Sequence, residues 1–223
     1  MSREQTQQTA YTIDVVMLTP QNDQLALLLA QDEARSGWML PWEAPDAGST
    51  LDNTAAAIAT RVTGTSPAWI EQVAAVGDGM MHPSNAPISV GFVAIVPMGT
   101  PEPRGDRFAW FGLDAAPALG ERQQTIVRDA VAAVQDRMDL SPVAFRLLPP
   151  AFTLSELQQM YELLLGKRLH KASFRRALQA AWLVEPTDEW RSEGRGRPAQ
   201  LYRYAPKKRR KGRRGVRFDL LAG

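Results

Sequence analysis

Cysteine is absent from this chain of 223 residues, and histidine occurs only as His82 and His170. Without cysteine there can be no disulfide, no thiolate nucleophile and no cysteine-ligated zinc. Two histidines cannot supply a histidine-rich metal site, so any metal would need carboxylate ligands. We therefore predict a protein with no metal site and no cofactor.

Long apolar runs are also missing from the sequence. No stretch approaches the roughly 20 apolar residues that a membrane-spanning helix requires. The first residues, MSREQTQQTAY, lack the basic-then-apolar layout of a signal peptide. We therefore expect a soluble, cytoplasmic protein with no membrane partner.

Lysine is missing from residues 1–141, and this absence accompanies a sharp division of charge along the chain. Residues 1–141 contain 8 basic against 17 acidic residues, a net charge of −9, whereas residues 142–223 contain 18 against 7, a net charge of +11. The basic segment would attract a polyanion through counterion release, and DNA would repel the acidic one. We predict an N-terminal domain over residues 1–141, a DNA-binding domain over residues 142–206 and a flexible basic tail over residues 207–223.

Apolar periodicity predicts an α/β or α+β domain for the acidic segment, and we expect an α+β fold for the chain as a whole. The sequence PQND, between two apolar runs, favours a hairpin turn, and Gly64 is placed to end an alanine-rich helix. The predicted strands cover residues 11–19, 25–30, 88–97 and 108–113, and the predicted helices cover residues 51–62 and 121–138.

Two successive helices open the basic segment. Thr153 stands three residues before Glu156, the spacing of a capping box, and the first helix is predicted to end at Gly166. The second helix, residues 170–183, places Phe174, Leu178 and Trp182 on one apolar stripe and its basic residues largely off it. A basic second helix after a short turn is typical of a helix-turn-helix. Its predicted DNA contacts are Lys171, Ser173, Arg175, Arg176 and Gln179.

The remaining residues predict a wing and a basic arm. Residues 185–205 have the pattern of two short strands around EGRGRPA, whose Arg195 and Arg197 could approach DNA phosphates or a minor groove. Residues 207–217 hold eight basic residues in eleven positions, and such a block cannot fold alone. The predicted contacts of this arm with DNA are Lys207, Lys208, Arg209 and Arg210.

Both halves together resemble the Nudix-related transcriptional regulators, the NrtR family. The resemblance is carried by residues 152–204, including FTLSELQQMYELLLGK and GRPAQLYRY, and by GWMLPWEAP and FAWFGLDAAP in the N-terminal half. It implies a Nudix-like α/β/α sandwich that binds ADP-ribose or a related metabolite, followed by a winged helix-turn-helix domain.

The N-terminal half departs from the catalytic Nudix box, G-x5-E-x7-R-E-U-x-E-E-x-G-U, in which U is bulky and apolar. When the last glycine of the box is placed on Gly64, its first Glu falls on Ser49. The later Arg-Glu pair falls on Ala57-Ile58 and the Glu-Glu pair on Arg61-Val62. Those glutamates hold magnesium against a diphosphate, and apolar or cationic side chains cannot replace them. We predict that the protein is not an enzyme.

The expected effector site is less defined than the DNA-binding helix. Regulators of this family that sense ADP-ribose tend to carry an Arg-Asp-Pro-Arg element, of which only Pro83 is present in Met81-His82-Pro83-Ser84. The family resemblance implies ADP-ribose as the effector, and the missing element widens this expectation to a related nucleotide or sugar phosphate. The candidate effector contacts are Trp42, which could stack on a purine, and the loop residues Asp78 and His82.

These features favour a homodimeric repressor that binds double-stranded operator DNA and is controlled by a small phosphorylated metabolite. Dimerisation is expected because one small winged domain contacts too little DNA for high specificity. Two alternatives stay open at this stage. The first is a Nudix hydrolase with an accessory nucleic-acid domain, and the second is a ligand-independent DNA-binding protein with a Nudix-derived dimerisation scaffold.

Overall fold

The computed structural model describes residues 10–32, 37–45, 48–77, 82–138, 143–192 and 198–205. Its contacts divide the chain into two units, Met1–Ala133 and Val134–Gly223. This division falls before the boundary predicted after residue 141. Across the described part of the chain, none of the helices has both the length and the apolar character that crossing a bilayer requires.

A mixed seven-stranded sheet forms the centre of the N-terminal unit. Strand β1 pairs in parallel with β6, and the other strand pairs are antiparallel. The order is β3-β2-β1-β6-β5, while β4 also pairs with β1 and β7 with β2. The strands are β1 (Tyr11–Gln21), β2 (Gln24–Asp32), β3 (Gly37–Met39), β4 (Trp42–Glu43), β5 (Trp69–Val76), β6 (Ile88–Ile95) and β7 (Phe108–Gly112).

The predicted hairpin between β1 and β2 is confirmed. Gln21 pairs with Gln24, so the turn consists of Asn22 and Asp23 alone. Both turn residues have positive φ, 50° and 58°, as a two-residue type I′ turn requires. Asn and Asp tolerate this conformation better than other residues with a side chain.

Helix α1 (Leu51–Thr63) covers one face of the sheet. Its first turn is capped by Thr50, whose side chain accepts a hydrogen bond from the Asn53 backbone N–H, and it ends at Gly64 with φ of 74°. The buried residues of the helix pack on Ile13, Val15 and other apolar residues of β1 and β6. The predicted helix and its C-terminal glycine are confirmed.

Helix α2 (Glu121–Arg137) covers the opposite face. Side chains alternate between faces along a strand, so Gly91 faces away from the α1 side, to which its neighbours Val90 and Phe92 contribute. A Cβ atom on Gly91 would lie only 2.5 Å from Cγ2 of Ile126. The glycine therefore allows α2 to approach the sheet closely, and the two helices and the sheet form the predicted α/β/α sandwich.

The C-terminal unit has the element order of a winged helix. Helices α3 (Val143–Leu147), α4 (Leu154–Leu165) and α5 (Lys171–Ala181) precede strands β8 (Val184–Arg191) and β9 (Ala199–Tyr204). The predicted capping box is confirmed, because Thr153 and Glu156 exchange both side chain–backbone hydrogen bonds. The core is aromatic and contains Phe145, Phe152, Tyr161 and Phe174.

Strands β3, β4 and β5 and the short helix α3 were not among the predicted elements. Strand β5 was not predicted, because the adjacent polar residues Glu71 and Gln72 interrupt its apolar pattern and a bulge lies between Gln72 and Ala74. Trp182 was placed on the packed stripe of α5, but its side chain is exposed at 53%. The helix ends at Ala181, and Trp182 takes a left-handed conformation with φ of 53°, which turns it away from the helical stripe.

Candidate nucleic-acid interface and ligand pocket

The turn between α4 and α5 is held by one carboxylate, that of Glu162. Its Oε1 atom accepts hydrogen bonds from the Leu169 backbone N–H at 2.9 Å and from Gln158 Nε2 at 2.9 Å. Its Oε2 atom accepts from Arg168 Nη1 at 2.9 Å. Gly166, with φ of 65°, ends α4 and lets the chain reverse into this turn. Glu162 thus ties the start of α5 to α4.

The surroundings of Glu162 favour its ionised form. Burial alone would raise the pKa of its carboxyl group. Hydrogen bonds from Gln158, Leu169 and Arg168, together with the charge of Arg168, lower that pKa by more than burial raises it. The net effect holds the pKa of Glu162 below its ordinary value. The turn is therefore organised around a carboxylate that accepts three hydrogen bonds.

Helix α5 buries one face and exposes the other. Phe174 and Leu178 are fully buried, and Phe174 packs against Tyr161 of α4 with ring centroids 5.4 Å apart. Four of the five helical residues predicted to contact DNA are exposed, namely Lys171, Arg175, Arg176 and Gln179. The fifth, Ser173, is half-buried, and its Oγ lies 3.2 Å from His170 Nδ1 at the start of the helix.

Ion pairing divides the basic residues of the C-terminal unit into two groups. Arg168, Arg191 and Arg203 pair with Glu162, Glu156 and Glu185 at 2.9, 2.6 and 3.4 Å. In contrast, the three cations of α5 have no carboxylate partner within the described parts of the chain. The unpaired cations are Lys171, Arg175 and Arg176. The exposed face of α5 is therefore an uncompensated positive surface.

The strands after α5 form the predicted two-stranded wing, and both strands are tied to α4 or to the segment directly before it. Arg191 of β8 donates to Glu156 Oε1 and to the Ala151 carbonyl at 3.2 Å. Tyr202 of β9 exchanges backbone hydrogen bonds of 2.9 and 2.7 Å with Phe152. The predicted tip contacts Arg195 and Arg197, and the arm residues Lys207, Lys208, Arg209 and Arg210, lie outside the described residues.

A pocket of about 270 Å³ opens in the N-terminal unit beside α1. Trp42, a predicted effector contact, lines it, and Glu43 forms an ion pair with Arg61 across its wall. The guanidinium carbon of Arg107 lies 5.8 Å from the centre of the Phe108 ring. The remaining lining residues are apolar and come from four elements and the segment before β4: Ala30, Met39, Pro41, Ile58, Val62 and Phe108.

His82, the second predicted effector contact, is buried next to Trp42. Its Nε2 atom lies 3.0 Å from Asp14 Oδ1, and its Nδ1 atom accepts from the Ser84 backbone N–H at 3.1 Å. The imidazole packs edge-on against Trp42, with ring centroids 4.9 Å apart. In this geometry both ring nitrogens are engaged within the protein, so His82 supports the pocket wall behind Trp42. A direct role of either residue in effector binding stays a prediction, and Asp78 lies outside the described residues.

Sequence reasoning missed three residues that the structure makes prominent. Arg61 was considered only as a residue that cannot replace a metal-binding glutamate, and Arg107 and Glu162 were not considered. Arg107 directly precedes β7, so the strand prediction alone could have placed it at the rim of the sheet. For Glu162 the available signal was its position one turn before Gly166, where a side chain can reach the following turn.

Comparison with known proteins defines the family. A family model described as the NrtR DNA-binding winged helix domain matches residues 144–204. The ADPR responsive transcriptional repressor NtrR of Acinetobacter baylyi is 31% identical over 204 residues, which cover 87% of this chain and 81% of the repressor. The chain belongs to the NrtR family of transcriptional regulators. The resemblance predicted from the sequence is confirmed.

Solved structures agree with membership of the NrtR family. NrtR of Shewanella oneidensis in complex with a 27mer DNA is similar with a TM-score of 0.75 and 28% identity, over 88% of this chain and 94% of that one. A MutT/nudix family protein from Enterococcus faecalis has a TM-score of 0.69 and 20% identity over 90% of each chain, and it shares the fold. The predicted Nudix-like domain followed by a winged helix-turn-helix is confirmed.

Proposed function

We propose that this NrtR family member is a transcriptional repressor that binds double-stranded operator DNA through α5. The observation that carries the proposal is the set of exposed cations on this helix, which lack carboxylate partners among the described residues. Arginine and lysine side chains on a helix in the major groove contact guanine edges and phosphates. The DNA in the Shewanella oneidensis complex supports the same role for this chain.

The proposed contacts follow the exposed face of α5. Arg175 and Arg176 read bases or phosphates near the middle of the helix, and Gln179 lies one turn beyond Arg175. Lys171 and Ser173 contact the backbone at its N-terminal end. Arg195 and Arg197 of the wing, and Lys207, Lys208, Arg209 and Arg210 of the arm, add phosphate contacts that increase affinity without much sequence preference.

A homodimer with three functional segments completes the proposal. Residues 1–141 sense the effector and dimerise, residues 142–206 bind DNA, and residues 207–223 form a basic arm. Two copies of α5 reading two half-sites provide the specificity that one small domain cannot. Such a regulator acts in the cytoplasm, where it has access to its operator DNA.

The proposed effector is ADP-ribose or a related nucleotide or sugar phosphate. The Acinetobacter baylyi relative is named as ADPR responsive, and the pocket beside α1 combines aromatic rings with two arginines. An effector changes operator binding only if it binds one dimer geometry more tightly than the other. The N-terminal domain therefore serves as a sensor and not as a hydrolase, because the box positions that would carry magnesium ligands hold Ile58, Arg61 and Val62.

Operator selection from a randomised duplex library, followed by fluorescence anisotropy on the selected sequence, tests the proposal. The double variant Arg175→Ala/Arg176→Ala should bind this operator about a hundredfold more weakly, since each base contact contributes about 1–3 kcal/mol. The single variant Arg128→Ala is the matched control, because Arg128 is an exposed arginine of α2. The proposal fails if the double variant keeps both the affinity and the sequence preference of the wild type.

A further inference from the structure

The pocket beside α1 occupies the place where a Nudix enzyme holds its metal. In the box register anchored on Gly64, three glutamate positions fall on Ile58, Arg61 and Val62, and all three side chains line this pocket. A magnesium ion requires several oxygen ligands. Glu43 is the one carboxylate among the lining residues, and it is already paired with Arg61. These residues do not fit a magnesium ion.

Among the described residues, metal ligands are lacking around the pocket as well as within it. The described segments contain no group of three or more His, Asp or Glu side chains close enough to hold an ion. Arg61 also brings a positive charge to the position at which the enzyme needs a negative one. A diphosphate bound here would therefore have to be neutralised by the protein itself.

The pocket offers two guanidinium groups for that purpose. Arg61 projects from α1, and Arg107 stands at the start of β7 with its guanidinium over the Phe108 ring. A guanidinium is planar, keeps its charge at any physiological pH and matches phosphate oxygens in a bidentate geometry. Trp42 and Phe108 provide aromatic surface beside these charges, as a nucleotide-like ligand requires.

We propose that this pocket binds the phosphate groups of its effector directly through Arg61 and Arg107, without a divalent cation. The inference rests on the proposed function, because it concerns the site at which the regulator senses its metabolite. It assigns to the site a ligand class, an organic phosphate or diphosphate ester, and a mode of charge neutralisation that differs from that of the hydrolases sharing the fold.

Glu43 acts in this arrangement as an internal competitor of the ligand. Its carboxylate occupies Arg61 in the free protein, and the two side chains are 34% and 57% exposed. An ion pair so open to water opens readily, since such pairs contribute little net stability. An incoming phosphate therefore replaces the carboxylate on Arg61, and removing the charge of Glu43 should favour the ligand.

Calorimetric titration of the full-length protein with ADP-ribose, first in magnesium and then in excess EDTA, tests the metal independence. The dissociation constant should be unchanged within about twofold. A loss of tenfold or more in EDTA would overturn the inference while leaving ADP-ribose as the effector. Thus the failure of this inference and the failure of the proposed function are separate outcomes.

Variants that remove one charge each test the proposed roles of Arg61, Arg107 and Glu43 in ligand binding. Arg61→Gln and Arg107→Gln should each weaken ADP-ribose binding in EDTA about tenfold or more, the loss expected for one charge-assisted hydrogen bond. Glu43→Gln should tighten it about threefold, a gain that a purely structural ion pair would not produce. Arg128→Gln removes an equal charge from α2 outside the pocket and should change nothing. Unchanged binding in both pocket arginine variants would overturn the inference.

Inorganic pyrophosphate serves as the second probe and resolves the case in which ADP-ribose does not bind. Pyrophosphate binding in EDTA that is lost in Arg61→Gln supports the arginine site and rejects ADP-ribose as the effector. If neither compound binds in EDTA, the arginine site is rejected. If ADP-ribose binds as predicted but operator affinity does not respond, the site stands and the regulatory proposal falls.

Discussion

The pocket beside α1 and the exposed face of α5 both contain arginines, but the two regions differ in whether those arginines are paired with carboxylates. On α5, Arg175 and Arg176 have no carboxylate partner within the described part of the chain, so their charge is available to any polyanion. In the pocket, Arg61 is paired with Glu43. An arginine without a carboxylate partner can bind an anion directly. An arginine paired with a carboxylate binds an anion only after that carboxylate is displaced. The charge of the proposed DNA-binding face is thus available without displacing any partner among the described residues, whereas in the proposed effector pocket a ligand must first displace Glu43 from Arg61.

Charge reversal on α5 should produce the largest difference between the two regions, because it should affect operator binding and leave ADP-ribose binding unchanged. Arg175→Glu/Arg176→Glu should weaken binding to the selected operator more than about a thousandfold, because two attractive contacts become repulsive. The same variant should keep the ADP-ribose affinity of the wild type. Anisotropy on operator DNA and calorimetry with ADP-ribose measure the two quantities. A parallel loss of both would mean that the two arginine sets are not independent.

Removal of Glu162 should affect the DNA-binding unit through its structure and not through contact with DNA. Glu162→Ala leaves the buried Leu169 N–H without its acceptor and should destabilise the unit by about 2 kcal/mol, the scale of a hydrogen bond to a charged group. Urea unfolding of the full-length protein measures this loss. Gln159→Ala, an exposed change on the same helix, is the control and should stay within about 0.5 kcal/mol of wild type.

The salt dependence of binding should distinguish the exposed face of α5 from the pocket beside α1. The logarithm of operator affinity should fall steeply with the logarithm of salt concentration, and Lys171→Ala should lower that slope by about 1. In the pocket, Arg61 exchanges one anionic partner for another, so the affinity for ADP-ribose should depend on salt much less. Equal slopes for the two ligands would contradict the distinction.

The smallest expected effect is a pH dependence that comes from Glu162. Its pKa is lowered in the folded protein, so the unfolded chain binds the proton more tightly and the native state loses stability as the pH falls. The contribution is fully present above the ordinary glutamate pKa of about 4.3 and is lost as the pH falls through the lower folded value. The melting temperatures of wild type and Glu162→Gln should therefore converge as the pH falls below the ordinary glutamate pKa and through the lower folded value, and a constant difference would reject this role.

Local signals in the sequence were sufficient for most of the fold. The capping box of Thr153 and Glu156, the left-handed glycines Gly64 and Gly166, and the turn of Asn22-Asp23 are each decided by a few neighbouring residues, and all are observed. Strand β5 could not be predicted in the same way, because its bulge interrupts the alternation of inward and outward side chains on which strand prediction depends.

The site depends on contacts between distant parts of the chain and was therefore harder to predict. His82 is held by Asp14, which lies 68 residues earlier, so a histidine that the sequence placed in a loop as an effector contact is buried. The one sequence signal was the charged Asp14 within the apolar run YTIDVV, since a buried carboxylate needs a partner. The pocket likewise combines Glu43, Arg61 and Arg107, and no local pattern relates them.

The double role of Glu156 has a consequence for how the C-terminal unit opens. One oxygen of its carboxylate completes the cap of α4, and the other holds Arg191 of the wing. The first turn of the helix and strand β8 thus share an anchor, although more than 30 residues separate them. In native-state hydrogen exchange, the amides of both should lose protection together, as one cooperative unit. A wing that loses its protection together with α4 would be positioned by that helix in the protein without DNA.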